Sequence, residues 1–357
     1  MVKKPLPLVE VTLDRIIGGG QAIGTLLEGK KCLVWGGLPG ETVKVQVTKS
    51  KSSFVEGYVT EVIKPSKQRT QPRDVNSYMS TSPWQIMDFD SEEHYKSALI
   101  EEAFELHDIV LPTPIGVWTD GKDYGYRNKV EFSFWFDTDI MQLKLAFFRR
   151  GSHGKVPVDG TSLAADIINQ TGVDVLKALR ALKIDGRALK TLMIRSNKAG
   201  QVAWQLYVKE ETIDTEAIFA ATVAPRTVNA EIIYSNPKSP ASVITKRLAA
   251  TSDKTLTDTI LDVPFRYATE GFFQINLPVY EQALTDMKEW VVANKPVVDL
   301  YSGVGTIGLT IGGDDVTLVE SNEHAVREMQ RNIEELGRKS SAKAVLAYSE
   351  DALDYIT

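Results

Sequence analysis

The stretch Val297-Val298-Asp299-Leu300-Tyr301-Ser302-Gly303-Val304-Gly305-Thr306-Ile307-Gly308 decides the reading of this chain. A β-branched run ends in an acidic residue and passes into a turn with G-x-G-x-x-G spacing. Glycines at that spacing let the backbone turn sharply and approach a ligand closely, and the helix that follows offers its N-terminus. Twelve residues after Gly308, the run Val316-Thr317-Leu318-Val319 ends in Glu320. An acidic side chain at the tip of a second strand can hold two ribose hydroxyls. The pattern predicts a βαβ unit for a nucleoside-containing cofactor. An α/β turn without a ligand is the competing reading of the motif by itself. Asp299 weighs against a nicotinamide cofactor, because such fingerprints carry a small or apolar residue at that point.

Bulk properties bound the answer. The 357 residues suffice for two or three domains, and 43% hydrophobic with 25% charged residues is ordinary for a soluble globular protein. No apolar run approaches the roughly 20 residues of a membrane span. Met1–Pro7 is basic but lacks the apolar core of a signal peptide, so a cytoplasmic location is expected. The one cysteine, Cys32, excludes an internal disulfide and a thiolate cluster. The net charge of −6 does not advertise nucleic acid, but its distribution is uneven. Residues 1–69 hold 11 Lys/Arg and 6 Asp/Glu, a net of +5, which leaves −11 for the rest. A basic N-terminal module on an acidic body fits a polyanion, and it equally fits a solvated lysine face.

Outward from the glycine motif, the chain divides in three. Residues 8–64 alternate in short runs broken by turns: Gly18-Gly19-Gly20, then Lys31–Trp35, then Leu38-Pro39-Gly40-Glu41, then Thr42–Val47 and Phe54–Val59. About five strands in so short a span predict a small barrel of the OB type. Trp35, Phe54 and Tyr58 fit either base stacking or the barrel core. Residues 65–90 read as a linker rich in Pro, Ser and Thr, followed by a helix at 91–107. Strands at 128–136, 144–148, 191–196, 202–208 and 231–234 with a helix at 164–181 predict an α+β middle domain on an antiparallel sheet. The cofactor domain begins near residue 263. His94, His107 and His324 lack metal-ligand spacing, and Asp88 and Asp90 lack a third carboxylate, so no metal site is expected.

Several ordered segments together resemble the RNA uracil-C5 methyltransferases: Tyr126-Arg127-Asn128-Lys129-Val130, Leu145-Ala146-Phe147-Phe148-Arg149 with Gly151-Ser152-His153, and Phe272-Phe273-Gln274-Ile275-Asn276, beside the glycine motif. The barrel resembles a TRAM domain through its glycine-rich first turn, its Leu-Pro-Gly-Glu and its basic strands. The resemblance implies a multidomain protein: an N-terminal OB-type TRAM-like RNA-binding barrel (1–65), an α+β middle domain (66–262, its helix 91–107 packing on the methyltransferase domain), and the N-terminal half of a Rossmann-like α/β methyltransferase domain (263–357). It implies S-adenosylmethionine as cofactor, with Gln274 beside the reacting methyl, Tyr301 and Thr306 lining the loop, Gly303 and Gly305 allowing close approach, and Glu320 on the ribose. The adenine side falls near Tyr348-Ser349-Glu350-Asp351, where Tyr348 replaces the usual Asp or Asn.

The implied partner is structured RNA, ribosomal or transfer, with no DNA and no membrane. Arg127, Lys129, Arg149 and His153 are candidate RNA contacts. Arg127 and Lys129 also fit a buried ion pair, and His153 a solvated hairpin loop. Two departures stand out. Many members hold an iron–sulfur cluster on four cysteines, and the matching positions here fall near Asp74, Met79–Ser80, Ser82–Pro83 and Thr161, so no cluster is expected. The second is the nucleophilic cysteine and the glutamate base, which are expected beyond Thr357. Roughly three of about seven sheet strands are in hand, and an edge left open is expected to associate or aggregate. Cys32 lies on an apolar barrel strand and is not expected to replace the nucleophile. These residues alone are expected to be inactive, and an RNA-binding protein that has lost the chemistry is the alternative.

Overall fold

The computed structural model describes residues 6–152 and 154–355, without the side chains of 353 and 354. His153 lies outside the described residues. Two compact units divide the chain, Met1–Thr119 with Phe147–Val156 and Asp120–Ala146 with Pro157–Thr357.

In the first unit, β1 (Leu8–Ile16), β2 (Ala22–Thr25), β3 (Lys31–Trp35), β4 (Thr42–Ser50) and β5 (Phe54–Lys64) close into a barrel of order β1-β2-β3-β5-β4. Alternation dictates its core: Val43, Val45 and Val47 of β4 point inward with Cys32 and Val34 of β3, while Lys49 and Ser50 stay in water. Closure leaves no unpaired edge.

The Pro- and Ser-rich stretch that follows is not a loose linker. It forms a one-turn α1 (Tyr78–Thr81) and a 3₁₀ turn at Pro83–Ile86. Ile86 and Met87 pack with Ile16 and Leu38, and the Trp84 indole donates to Gly20 O at 3.0 Å. The sequence pattern there showed only the breakers, and the apolar residues between them fix the path. α2 (Phe89–Glu105) starts at Asp88, whose carboxylate accepts from Ser91 N.

A seven-stranded sheet is built from β6 (Lys129–Asp137), β7 (Gln142–Phe148), β8 (Lys155–Val158), β9 (Leu189–Ser196), β10 (Val202–Val208), β11 (Thr227–Tyr234) and β12 (Lys246–Ala250), in the order β12-β11-β10-β9-β6-β7-β8. α3 (Asp166–Ala181) buries Ile168, Val175, Leu176 and Leu179, a helix stripe. The expected antiparallel sheet needs one correction: β10 and β11 run parallel. The chain crosses between them through α4 (Thr215–Thr222), and such a crossover returns the next strand in the same direction.

A hairpin of β13 (Leu256–Ile260) and β14 (Val263–Tyr267) follows, turning at Leu261 and Asp262 with φ of 45° and 66°. α5 (Leu277–Lys288) leads to β15 (Val297–Leu300), α6 (Thr306–Ile311), β16 (Val316–Glu320), α7 (Glu323–Glu335) and β17 (Ala342–Leu346). β15, β16 and β17 pair in parallel in that order. α7 presents Val326, Met329 and Ile333, spaced three and four apart, to the interior.

Candidate cofactor site

The loop between β15 and α6 is the candidate site. Tyr301 takes φ 58°, a left-handed conformation that a bulky side chain rarely adopts, and its side chain is 77% exposed. Such strain persists only where the surroundings over-determine it, and it clusters at ligand sites. Those surroundings are visible. The Ser302 hydroxyl donates to Asp299 O at 2.5 Å, and Ser302 N donates to Val319 O at 3.1 Å. Gly305 has φ 89°, and an added Cβ would stand 2.9 Å from Leu309 Cδ1. At Gly308 the same Cβ would stand 2.8 Å from Leu318 Cδ2, so this glycine lets α6 lie against β16. Above Gly303 nothing lies within 4 Å of where a Cβ would be, so that face of the loop is open.

Two carboxylates frame the turn. Asp299 Oδ2 accepts from Gly308 N at 2.9 Å. Burial pushes its pKa up to about 6, with the Glu320 charge adding and the Gly308 hydrogen bond opposing. Glu320 Oε2 accepts from Gly303 N at 3.0 Å and Oε1 from Asn322 N at 2.8 Å. Tyr348 follows β17, where Ala347 N donates to Glu320 O at 3.1 Å, and its ring is 65% exposed. Tyr301, Glu320 and Tyr348 thus stand at the carboxyl ends of three parallel strands, the place where open α/β sheets bind ligands.

The other residues singled out by the sequence lie as follows. Thr306 is bonded through its hydroxyl to Tyr280 OH at 2.6 Å, tying α5 to α6. Gln274 sits in the irregular segment before α5; its neighbour Phe273 shares a buried cluster with Val304 of the glycine loop. Asn276 Oδ1, two residues on, is a buried acceptor with no partner. Lys129 is half-buried and donates to Glu270 O at 3.1 Å, and burial first, with Arg195 beside it, lowers its pKa to about 8. Arg127 holds Leu163 O and Ala165 N through its main chain. Arg149 is exposed on the hairpin, and its N donates to Gly154 O at 2.8 Å.

Sequence reasoning passed over Asn332. It is 1% exposed, donates to Arg266 O and Val304 O at 3.1 Å each, and accepts from Arg266 N at 2.9 Å. One side chain of α7 therefore locks β14 to the glycine loop. No local pattern marks it beyond a polar residue on the apolar stripe.

Two implied groups are tested by these residues. S-adenosylmethionine fits: the open face at Gly303 and the acidic strand tip at Glu320 would supply space and acceptors for a ribose diol. An iron–sulfur cluster does not fit. Asp74 and Gln85 bond each other, Asp74 N to Oε1 at 3.1 Å and Nε2 to Asp74 Oδ2 at 3.2 Å. Cys32 is in the barrel core with its thiol pushed up to about 11, by burial first and then by Glu28. Among the described residues, no group of three or more His, Cys, Asp or Glu gathers to hold a metal, and no helix is long and apolar enough to cross a membrane.

Residues 8–60 match the TRAM domain. An uncharacterised RNA methyltransferase of Enterococcus faecalis is 27% identical over 83% of this chain and 68% of its own length. Another, from Halalkalibacterium halodurans, is 23% identical over 92% of this chain and 76% of its own. In fold, the chain is similar to the tRNA (uracil-54, C5)-methyltransferase of Pyrococcus abyssi, solved in complex with S-adenosyl-L-homocysteine; the TM-score is 0.71 at 19% identity, covering 95% of this chain and 79% of that one. With residues 8–60 matching a TRAM domain and with these relatives aligned over most of its length, the chain is similar to curated RNA methyltransferases.

Proposed function

We propose that this chain binds S-adenosylmethionine and structured RNA, ribosomal or transfer, and serves methylation of carbon 5 of a uridine. The observation that carries the reading is the strained, open loop Tyr301–Gly305 clasped by Glu320 through Gly303 N. The cofactor supplies an electrophilic methyl. Glu320 would accept the ribose hydroxyls, Gly303 and Gly305 would admit the amino-acid portion, Tyr301 would cover it, and Gln274 would face the methyl. The Pyrococcus relative, crystallised with S-adenosyl-L-homocysteine, supports this choice of ligand.

The base reaction needs a thiolate that adds to uracil carbon 6, making carbon 5 nucleophilic, and later leaves. Cys32 does not suit that task, being fully buried in the barrel with a raised pKa. The 357 residues therefore bind and orient; methyl transfer by them alone is expected to be absent. The target uridine must leave its stack to be reached. The basic barrel residues, with Arg127 and Arg149, are the RNA contacts we favour. Lys129 is the weaker candidate, since its ammonium already serves Glu270 O.

Calorimetric titration with S-adenosylhomocysteine tests the reading. Binding that Glu320→Ala weakens at least tenfold is expected; no binding by a folded wild-type chain overturns it. The buried single cysteine favours a second reading, RNA binding without chemistry. Salt-dependent RNA binding with no cofactor affinity would select that one.

A further inference from the structure

The segment Ala268–Asn276 joins β14 to α5 and carries Gln274, yet it has no regular structure of its own. Backbone groups of such a segment need partners from elsewhere. For four of its carbonyls they come from one place, the paired ends of β6 and β9. Arg195 Nη1 donates to Ala268 O at 3.2 Å. Lys129 Nζ donates to Glu270 O at 3.1 Å. Asn128 donates twice, from Nδ2 to Gln274 O at 2.8 Å and from its main-chain N to Ile275 O at 3.3 Å. Lys129 and Arg195 are cross-strand partners in the β6–β9 register, and Ser196 N donates to Asn128 O at 2.9 Å. Three adjacent residues of the middle sheet thus hold four carbonyls of the cofactor segment.

Side chains reinforce the hold. The Glu270 carboxylate accepts from Gln205 at 2.7 Å and pairs with Arg247. The Arg195 guanidinium lies 5.3 Å over the Tyr267 ring, which stacks on Phe273 at 3.8 Å. Arg195 is 1% exposed. Burying a guanidinium and an ammonium this far is costly. Apolar residues of similar size would fill the space at lower cost if packing were the whole purpose.

We propose that Asn128, Lys129 and Arg195 are positioning residues that fix Gln274 in place for the cofactor, acting through the main chain of Ala268–Asn276. The inference rests on the cofactor reading above. An angstrom of slack at an orienting group costs a site dearly, and this grip removes it.

The test is a double-mutant cycle read as the dissociation constant for S-adenosylhomocysteine in the 357-residue chain. Asn128→Ala and Gln274→Ala are each expected to weaken binding about tenfold, and the double variant no further than either alone, because coupled residues are not additive. Lys129→Met is expected to weaken binding and Lys129→Arg to restore it. A merely structural role would leave the Asn128 and Gln274 effects additive, at about a hundredfold; that result overturns the proposal, as does unchanged affinity in Asn128→Ala. Should Asn128→Ala fail to fold, the same cycle run with Lys129→Met decides by the same criterion. A folded wild-type chain that binds no S-adenosylhomocysteine overturns the cofactor reading instead, which keeps the two failures apart.

Discussion

Glu41, the last residue of the Leu-Pro-Gly-Glu turn, is fully buried, and replacing it by Ala should be the most damaging single change in the first unit. Its two oxygens accept four hydrogen bonds: Arg69 Nε at 2.6 Å and Ser66 N at 3.0 Å on Oε1, Arg69 Nη2 at 2.7 Å and Leu38 N at 2.9 Å on Oε2. Burial works to raise its pKa, but the bonds from Arg69, Ser66 and Leu38 outweigh burial and hold it below the usual value. Glu41→Ala strands a largely buried guanidinium and two backbone donors. Breaking a buried pair from one side costs about 3–5 kcal/mol. For a unit of this size that is a fall of roughly 10–20 °C in melting midpoint.

The assay is urea and thermal unfolding followed by a barrel probe, since the two units need not unfold together. Glu41→Ala with Arg69→Met, which removes both charges, should recover a good part of the loss. The pH dependence has a fixed sign. With the folded pKa lowered, this stability is present above the unfolded pKa of about 4.3 and disappears as pH falls through the folded value. A loss under about 1 kcal/mol at pH 7, or no recovery in the double variant, would refute the argument.

Other perturbations probe the cofactor domain. Asp299 has a folded pKa near 6, above its unfolded value, so its contribution is complete below about pH 4 and is lost as pH rises through 6. Asp299→Asn should flatten the stability profile between those limits, by about 3 kcal/mol in total, and an unchanged slope by differential scanning calorimetry would count against the buried carboxylate. Gly305→Ala forces a side chain into φ 89° and against Leu309, so a loss of about 3 kcal/mol with weakened cofactor binding is expected. Asn332→Ala removes three buried hydrogen bonds, and chemical denaturation should register about 2–4 kcal/mol.

Much of the fold was legible because it is written locally. Val43, Val45 and Val47 alternate, and the strand Val297–Leu300, its glycine turn and Glu320 appear in the sequence as they do in space. The β13–β14 hairpin was not legible. Its turn uses Leu261 and Asp262 where Asn or Gly would have announced it, and the left-handed backbone is imposed by neighbours. The parallel β10–β11 pair was missed for a similar reason, since α4 is short and its pattern weak. At the site, residue types along the loop were readable, but the bonds that hold it were not. Asn128 reaches Gln274 across 146 positions and Asn332 reaches Val304 across 28. Pairings at that separation leave no periodic trace in one sequence. Asn128 lies inside the Tyr126–Val130 motif, where the cations on either side of it carry the stronger chemical signal.

The placement of Cys32 has a practical consequence. As the one thiol of 357 residues, enclosed in the barrel core, it is shielded from alkylating reagents while the strands stay closed. Its labelling rate is therefore a clock for opening of the barrel alone, with no signal from the cofactor domain. Compared with the rate for a free thiol, it yields the opening free energy of that barrel directly. Followed during addition of RNA, the same clock shows whether a ligand grips the closed strands or only the surface beside them, because a ligand that requires the closed form slows the label in proportion to its occupancy.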